Sequence, residues 1–276
     1  MDRVLKSLVH IGAVISFGFV LLIIGYVGFK GIGHIDLDLF SLHYTTENLS
    51  LLPSLITTFI IGLISLLVAI PIGVFSAIYM VEYANNQSFL IKVIRLATET
   101  LAGIPSIVYG LFGLLFFVTY LNWGFSLLAG SVTLAIMVLP LIIRTTEEAL
   151  LSVDNSLREA SYALGVSKVR TIFKIVLPTA LPGIFSGIVL AFGRIMGESA
   201  ALIYTAGTVP NLPKGIFSSG RTLTIHMYSL ITEGINRDKA YATAVVLLVF
   251  VLVINFLSNK ISQKLSSYWI YGNGPI

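Results

Sequence analysis

Residues 144–182 read RTTEEALLSVDNSLREASYALGVSKVRTIFKIVLPTALP, the longest charged connection between apolar runs in the chain. Ser156-Leu157-Arg158-Glu159 has the spacing of a capping box, in which hydroxyl and carboxylate each satisfy a first-turn amide. Leu157, Ala160 and Leu164 then follow at i, i+3 and i+7, one face of a helix, with Arg158 and Glu159 outside that face. Gly165 stands where a left-handed residue ends such a helix. Ser167 is placed to cap a second short helix, with Ile172, Ile175 and Val176 as its apolar stripe. Pro178 and Pro182 predict a separation between that helix and the apolar run that follows. A helix–glycine–helix unit with small apolar faces suits docking to a soluble partner. Periodicity alone leaves open a plain amphipathic connection lying on lipid.

On both sides of this stretch the chain is apolar. Of 276 residues, 56% are hydrophobic and 11% charged, and the mean hydropathy is +0.94. Soluble domains carry about 25% charged residues, so water cannot be the main solvent of this surface. A helix needs about 20 apolar residues to cross a bilayer, and six segments approach this: 9–29, 55–80, 102–120, 127–143, 184–203 and 240–257. The expected fold is therefore all-α, a polytopic bundle of about six transmembrane helices forming a single domain over 1–276, with 144–182 as a connection within it. The first segment exceeds a signal-peptide core of about 7–15 residues and lacks a small-x-small cleavage pattern, so it reads as a retained span. Pro71 predicts a kink in the second.

Basic residues set the orientation. With an internal N terminus, Arg3, Lys6, Lys92, Arg95, Arg144, Arg158, Lys168, Arg170, Lys174, Lys260 and Lys264 lie inside. Lys30, Lys214, Arg221, Arg237 and Lys239 lie outside. The bias of 11 to 5 places both termini in the cytoplasm. The net charge of +4 is thus topology rather than affinity for nucleic acid.

The remaining cation, Arg194, falls inside the fifth span, where an arginine costs about 2.5–3.5 kcal/mol on insertion scales. On an unbroken helix Gly183, Gly187, Leu190, Arg194, Gly197, Glu198 and Ala201 share one face. Arg194 and Glu198 are then spaced to pair at i, i+4. Two readings follow: a clamp between subunits, or a pathway for an anion, since a guanidinium fork suits tetrahedral oxyanions. Arg144 reads as the end of the fourth span, before a capping box at 145–148. It is a weaker candidate for the inner mouth, with snorkelling to lipid phosphates as the alternative.

Glu159-Ala160-Ser161, three residues, Gly165, nine residues, Ile175, one residue, then Leu177-Pro178 resembles the EAA loop of ABC importer permeases, with Ser161 in place of Ala. In that family the loop inserts into a groove on a cytoplasmic ATPase. Further matches narrow the resemblance to phosphate-importer permeases: Leu101-Ala102-Gly103-Ile104-Pro105-Ser106-Ile107-Val108-Tyr109-Gly110, Pro71-Ile72-Gly73-Val74 with Glu82-Tyr83, and GRIMGESAALIYTAG at 193–207. The last is similar to PstA-type rather than PstC-type subunits. Ser199 stands for the usual Thr and Ala201 for a common Pro, which weakens the expectation of a helix break after Glu198. The resemblance implies Arg194 and Glu198 in the substrate pathway, and Glu159, Ala160, Ser161, Gly165, Ile175, Leu177 and Pro178 in ATPase coupling. It also implies three partners: a PstC-type second permease, two copies of an ABC ATPase and an extracytoplasmic phosphate-binding protein.

No phosphate-binding loop of the G-x-x-x-x-G-K-[ST] form occurs, so any ATP hydrolysis belongs to another chain. Cysteine is absent, and His10, His34, His43 and His226 lack metal-ligand spacing. Asp36 and Asp38 read as solvated charges. No nucleophile–base set can be assembled, and nothing calls for a cofactor.

Overall fold

A computed structural model of the chain describes residues 2–84 and 88–270, all helical or irregular. The side chains of Arg3 and Lys264, counted above among the inner cations, lie outside what is described. Helix α1 (Asp2–Gly31) runs alongside α11 (Arg237–Ile270), where Tyr26 and Tyr241 meet edge to face at 6.0 Å. The rest of α1 exposes an apolar surface along its length, as a lipid-facing span must.

The centre of the bundle is α2 (Leu52–Ile78), α5 (Leu127–Leu151) and α8 (Leu177–Met196). Ile61, Leu134, Val138, Ile142, Ala191 and Ile195 form its core. Apart from Leu134 these are β-branched or small side chains, which pack at close helix spacing. Helix α2 runs unbroken through Pro71 and ends in a π turn, Tyr79–Tyr83. Among the described residues, five helices are long and apolar enough to span a membrane: Leu5–His34, Leu52–Tyr83, Leu127–Leu151, Lys168–Met196 and Arg237–Ser258.

The third expected span takes a different form. Helix α3 (Phe89–Ala102) and α4 (Ser106–Gly113, extended by a π stretch Leu114–Tyr120) meet at a bend of 102°. Pro105 takes the extended conformation before α4, and Tyr109 spans the bend by donating to the Leu101 carbonyl at 2.7 Å. Helix α3 is fastened to α5 by Arg95–Glu147 at 2.7 Å.

The loops 32–51 and 204–236 and the short turn 121–126 gather at one end of the bundle. There Leu51 N–H bonds the Leu39 carbonyl, Ser126 N–H bonds the Thr205 carbonyl, and Asp36 pairs with Lys239. Helix α10 (Leu223–Thr232) buries Leu223, Ile225 and Leu230 and packs on α11 and α2. The opposite end carries residues 152–176.

Candidate functional site

The 152–176 connection folds as α6 (Asn155–Ala163), a turn, α7 (Lys168–Thr171) and a π turn Ile172–Val176 that runs directly into α8. Pro178 and Pro182 therefore separate nothing. Pro178 falls in the first turn of α8, where proline is tolerated, and α8 continues through Pro182 in its interior, so Lys168–Met196 is one continuous element. The cap also differs from expectation. Asp154, not Ser156, caps α6 by accepting the Ser156 amide at 2.9 Å, and these bonds hold its carboxyl below the usual range. Likewise no helix starts at Thr145: α5 continues to Leu151, and the Thr145 hydroxyl bonds back to the Leu141 carbonyl.

Gly165 has φ of +74°, the left-handed turn between α6 and α7. Ser161 is buried, and its hydroxyl meets Thr171 Oγ1 at 2.8 Å. The residue that departs from the resembling loop is thus matched by a hydroxyl ten positions on. Ser167 occupies the cap position of α7 without a side-chain cap bond. Ile172 and Val176 are buried with Ile78, Leu150 and Val153 and seat the connection on the ends of α2 and α5. Ile175, Leu177 and Pro178 are half-buried. Leu157, Glu159, Ala160 and Leu164 face outward, Leu164 being 83% exposed. The predicted apolar face is therefore present and uncovered.

What holds the connection in place was invisible to periodicity. The Arg158 guanidinium donates to Glu82 from Nε at 3.2 Å and Nη2 at 3.0 Å, and to the carbonyls of Val153 and Leu150 at 2.8 and 2.9 Å. The two side chains are 13% and 6% exposed. Lys168 adds a contact over the Tyr83 ring at 4.9 Å. Both links join the connection to the π turn ending α2. The one signal in the sequence was Glu82, a lone carboxylate immediately after an apolar run.

Arg194 lies in the last turn of α8, which ends at Met196. A non-helical segment Gly197–Ser199 follows, then α9 (Ala200–Ile203). The expected Arg194–Glu198 pair is not formed, because the helix stops before Glu198 and the i, i+4 geometry is lost. Glu198 instead accepts the Ala201 amide at 3.2 Å and caps α9, while its carbonyl accepts the Thr224 hydroxyl at 2.7 Å. The helix break exists despite Ser199 and Ala201.

Antiparallel packing fixes the level of Arg194. A carbon added to Gly183 would lie 2.8 Å from the Ala149 methyl; one on Gly187 would lie 2.6 Å from Thr145 Cβ; one on Gly130 would lie 3.0 Å from Leu202. These contacts share one register, and it sets Arg194 opposite Val138, halfway along the 25-residue α5. The small-residue face is consequently divided. Gly187 is buried against α5 and Gly183 touches it at Ala149 while staying exposed, whereas Leu190, Arg194 and Gly197 are open. Among the described residues Arg194 makes no ion pair or hydrogen bond, and the Tyr109 ring lies within Coulombic reach of it. Arg144, on α5, sits six residues nearer the coupling end, about 9 Å along the axis. It pairs with Glu148 at 3.0 Å in an exposed setting. The two share a concavity of about 360 Å³ with Arg95, Glu99 and Glu147. The structure does not bring Arg194, Glu198 and Arg144 together.

A bundle of long apolar helices, one of them bent, carrying a clamped helix–glycine–helix connection at one end defines a polytopic permease subunit. The chain belongs to the binding-protein-dependent transport system inner membrane component family, whose pattern matches residues 69–267. It is 39% identical over 233 residues to the probable ABC transporter permease YqgI of Bacillus subtilis, covering 77% of this chain and 79% of that one. It is 36% identical over 220 residues to the phosphate transport system permease protein PstA 2 of Mycobacterium tuberculosis, covering 78% and 72%. A PstA homolog from Mycoplasma pneumoniae is 36% identical over 93% of this chain, which spans 40% of that longer protein. The fold is shared with a bacterial alginate ABC transporter solved with its periplasmic protein, at a TM-score of 0.72, 17% identity and 96% coverage of both chains. It is also shared with the MetNI methionine ABC transporter, at 0.60 and 24% identity over 77% and 93%.

Proposed function

We propose that this permease subunit carries inorganic phosphate into the cytoplasm as the PstA-type half of an ATP-driven importer. A PstC-type subunit completes the pathway, two ABC ATPase copies dock on 152–176, and an extracytoplasmic binding protein delivers the anion. Both termini are then cytoplasmic. The observation that carries this reading is Arg194: an unpaired guanidinium halfway through the bundle, on an open face beside a helix break. An unpaired cation at that depth is costly unless a second chain or a passing anion compensates it. Sequence similarity to proteins named as phosphate permeases supports the substrate.

A guanidinium does not by itself distinguish tetrahedral oxyanions, so sulfate and molybdate define the alternative. In proteoliposomes holding the complete complex and its binding protein, labelled phosphate uptake should be reduced by unlabelled phosphate and not by equimolar sulfate or molybdate. Equal competition by sulfate would reassign the substrate.

The coupling role is testable at Gly165. A β-branched residue at φ +74° costs about 1–2 kcal/mol or more and forces the turn to rearrange. Gly165→Val is expected to leave the permease in the membrane but to co-purify with less ATPase. Full ATPase retention with unchanged uptake would remove this turn from coupling.

A further inference from the structure

At the end of the bundle opposite the coupling loop, Arg221 is 4% exposed and His226 is fully buried. Arg221 Nε and Nη2 have no hydrogen-bond partner, and the buried His226 ring has only the Leu49 backbone carbonyl beside it. Nε–H and Nη2–H lie on one edge of the guanidinium, the fork that grips two oxygens of one anion. Nearby acids are committed elsewhere or out of range. Asp36 holds Lys239, Asp238 lies by His34, and Glu198 caps α9. None of the described acids pairs with Arg221. A buried guanidinium without a counter-charge is a strongly unfavourable arrangement unless something else fills it.

The surroundings are built rather than loose. Arg221 N–H bonds the Val209 carbonyl at 3.0 Å, Leu223 N–H bonds Thr58 Oγ1 at 2.8 Å, and Thr224 bonds the Glu198 carbonyl. This strap ties Arg221 to the same helix break that follows Arg194. The Tyr44 ring covers the guanidinium at 4.7 Å and meets His226 edge to face at 6.1 Å. Burial and the Arg221 charge pull the His226 pKa down to about 3 against the Leu49 carbonyl, so the ring is neutral near pH 7, with its N–H toward that carbonyl and its other nitrogen left to accept the O–H of a protonated oxyanion.

We propose that Arg221 and His226 form a receptor for a tetrahedral oxyanion at the extracytoplasmic end, occupied by the substrate before it reaches Arg194. Tyr44 is its cover and swings aside on entry. The identity of the anion rests on the importer reading; the receptor does not.

The test is equilibrium binding of labelled phosphate to the assembled complex in detergent, without binding protein or nucleotide. An Arg194→Gln background leaves the outer site to report alone. Phosphate is expected to bind, and Arg221→Gln to weaken it about tenfold or more, since two charge-assisted bonds are lost. The Arg221→Gln complex should melt no earlier than its parent, because an unpaired buried charge has been removed. Earlier melting with parental affinity would make Arg221 structural only and overturn the proposal. Should Arg221→Gln fail to assemble, Arg221→Lys and His226→Phe decide instead: weakened binding in both supports the receptor, parental binding in both overturns it. Arg221-dependent binding of sulfate but not phosphate would keep the receptor and sink the phosphate reading. Binding of neither oxyanion, or of acetate alone, would overturn the receptor.

Discussion

Replacing Arg194 with Glu is expected to abolish phosphate uptake while the complex still assembles. The side chain is exposed and makes no hydrogen bond or ion pair with the described residues, so reversing it breaks nothing within this subunit. Its effect falls on whatever passes or packs against the open face. At about 4 Å and an effective dielectric near 20, one charge pair is worth about 4 kcal/mol, and charge reversal turns that attraction into a repulsion of similar size. Solvent in the pathway reduces this, yet a loss of about 3 kcal/mol already lowers flux more than a hundredfold. Arg194→Lys should fall between, because it keeps the charge and loses the fork. Uptake of labelled phosphate, with co-purification of the partner chains, measures both halves of the expectation. Wild-type uptake by an assembled Arg194→Glu complex would take Arg194 out of the pathway. Failure to assemble would instead favour the clamp between subunits.

The second large effect is expected at Glu82. Glu82→Gln leaves the Arg158 guanidinium buried with three neutral acceptors but no counter-charge. Removing one partner of a buried pair typically costs about 3–5 kcal/mol, and the surviving carbonyl bonds place this case near the lower bound. The loss is local: the connection 152–176 loses its tie to α2, so ATPase co-purification and coupled transport should fall before the bundle itself melts. Arg158→Met should cost at least as much, since it strands a carboxylate that is 6% exposed. The double variant Glu82→Leu with Arg158→Met should be milder than either single change, because it removes both charges together. Additive losses in thermal unfolding of the complex would show that the two residues do not act as a pair.

Much of this molecule could be read along the chain. Apolar run length marked five of the spans, and Gly165 was identified from its place after an apolar helical face. Two errors share a cause. Reading 184–203 as one helix put Glu198 one turn beyond Arg194, whereas the helix ends at Met196 and Glu198 serves as a cap. Reading 102–120 as a span that starts at a kink at Ile104-Pro105-Ser106 found the place of the bend but not its 102° or the helix before it. In both places a proline- or glycine-containing segment redirects the backbone, and hydrogen bonds from distant residues stabilise the new direction. Periodicity carries no record of those bonds.

What the amino-acid sequence determined by itself was the solvent and the spacing. Low charge and six apolar runs require a bilayer, because no soluble surface can be made from them. The helix–glycine–helix spacing requires a turn at Gly165, because few other residues tolerate its φ. What only the tertiary structure decided was which charges meet. Glu82 and Arg158 are 76 residues apart, and Tyr44 reaches Arg221 and His226 only because two loops fold onto one end of the bundle. Transfer from water depends on a residue's own type and is legible locally. The energy of a buried charge depends on what is within about 4 Å of it, and the packed chain alone sets that distance.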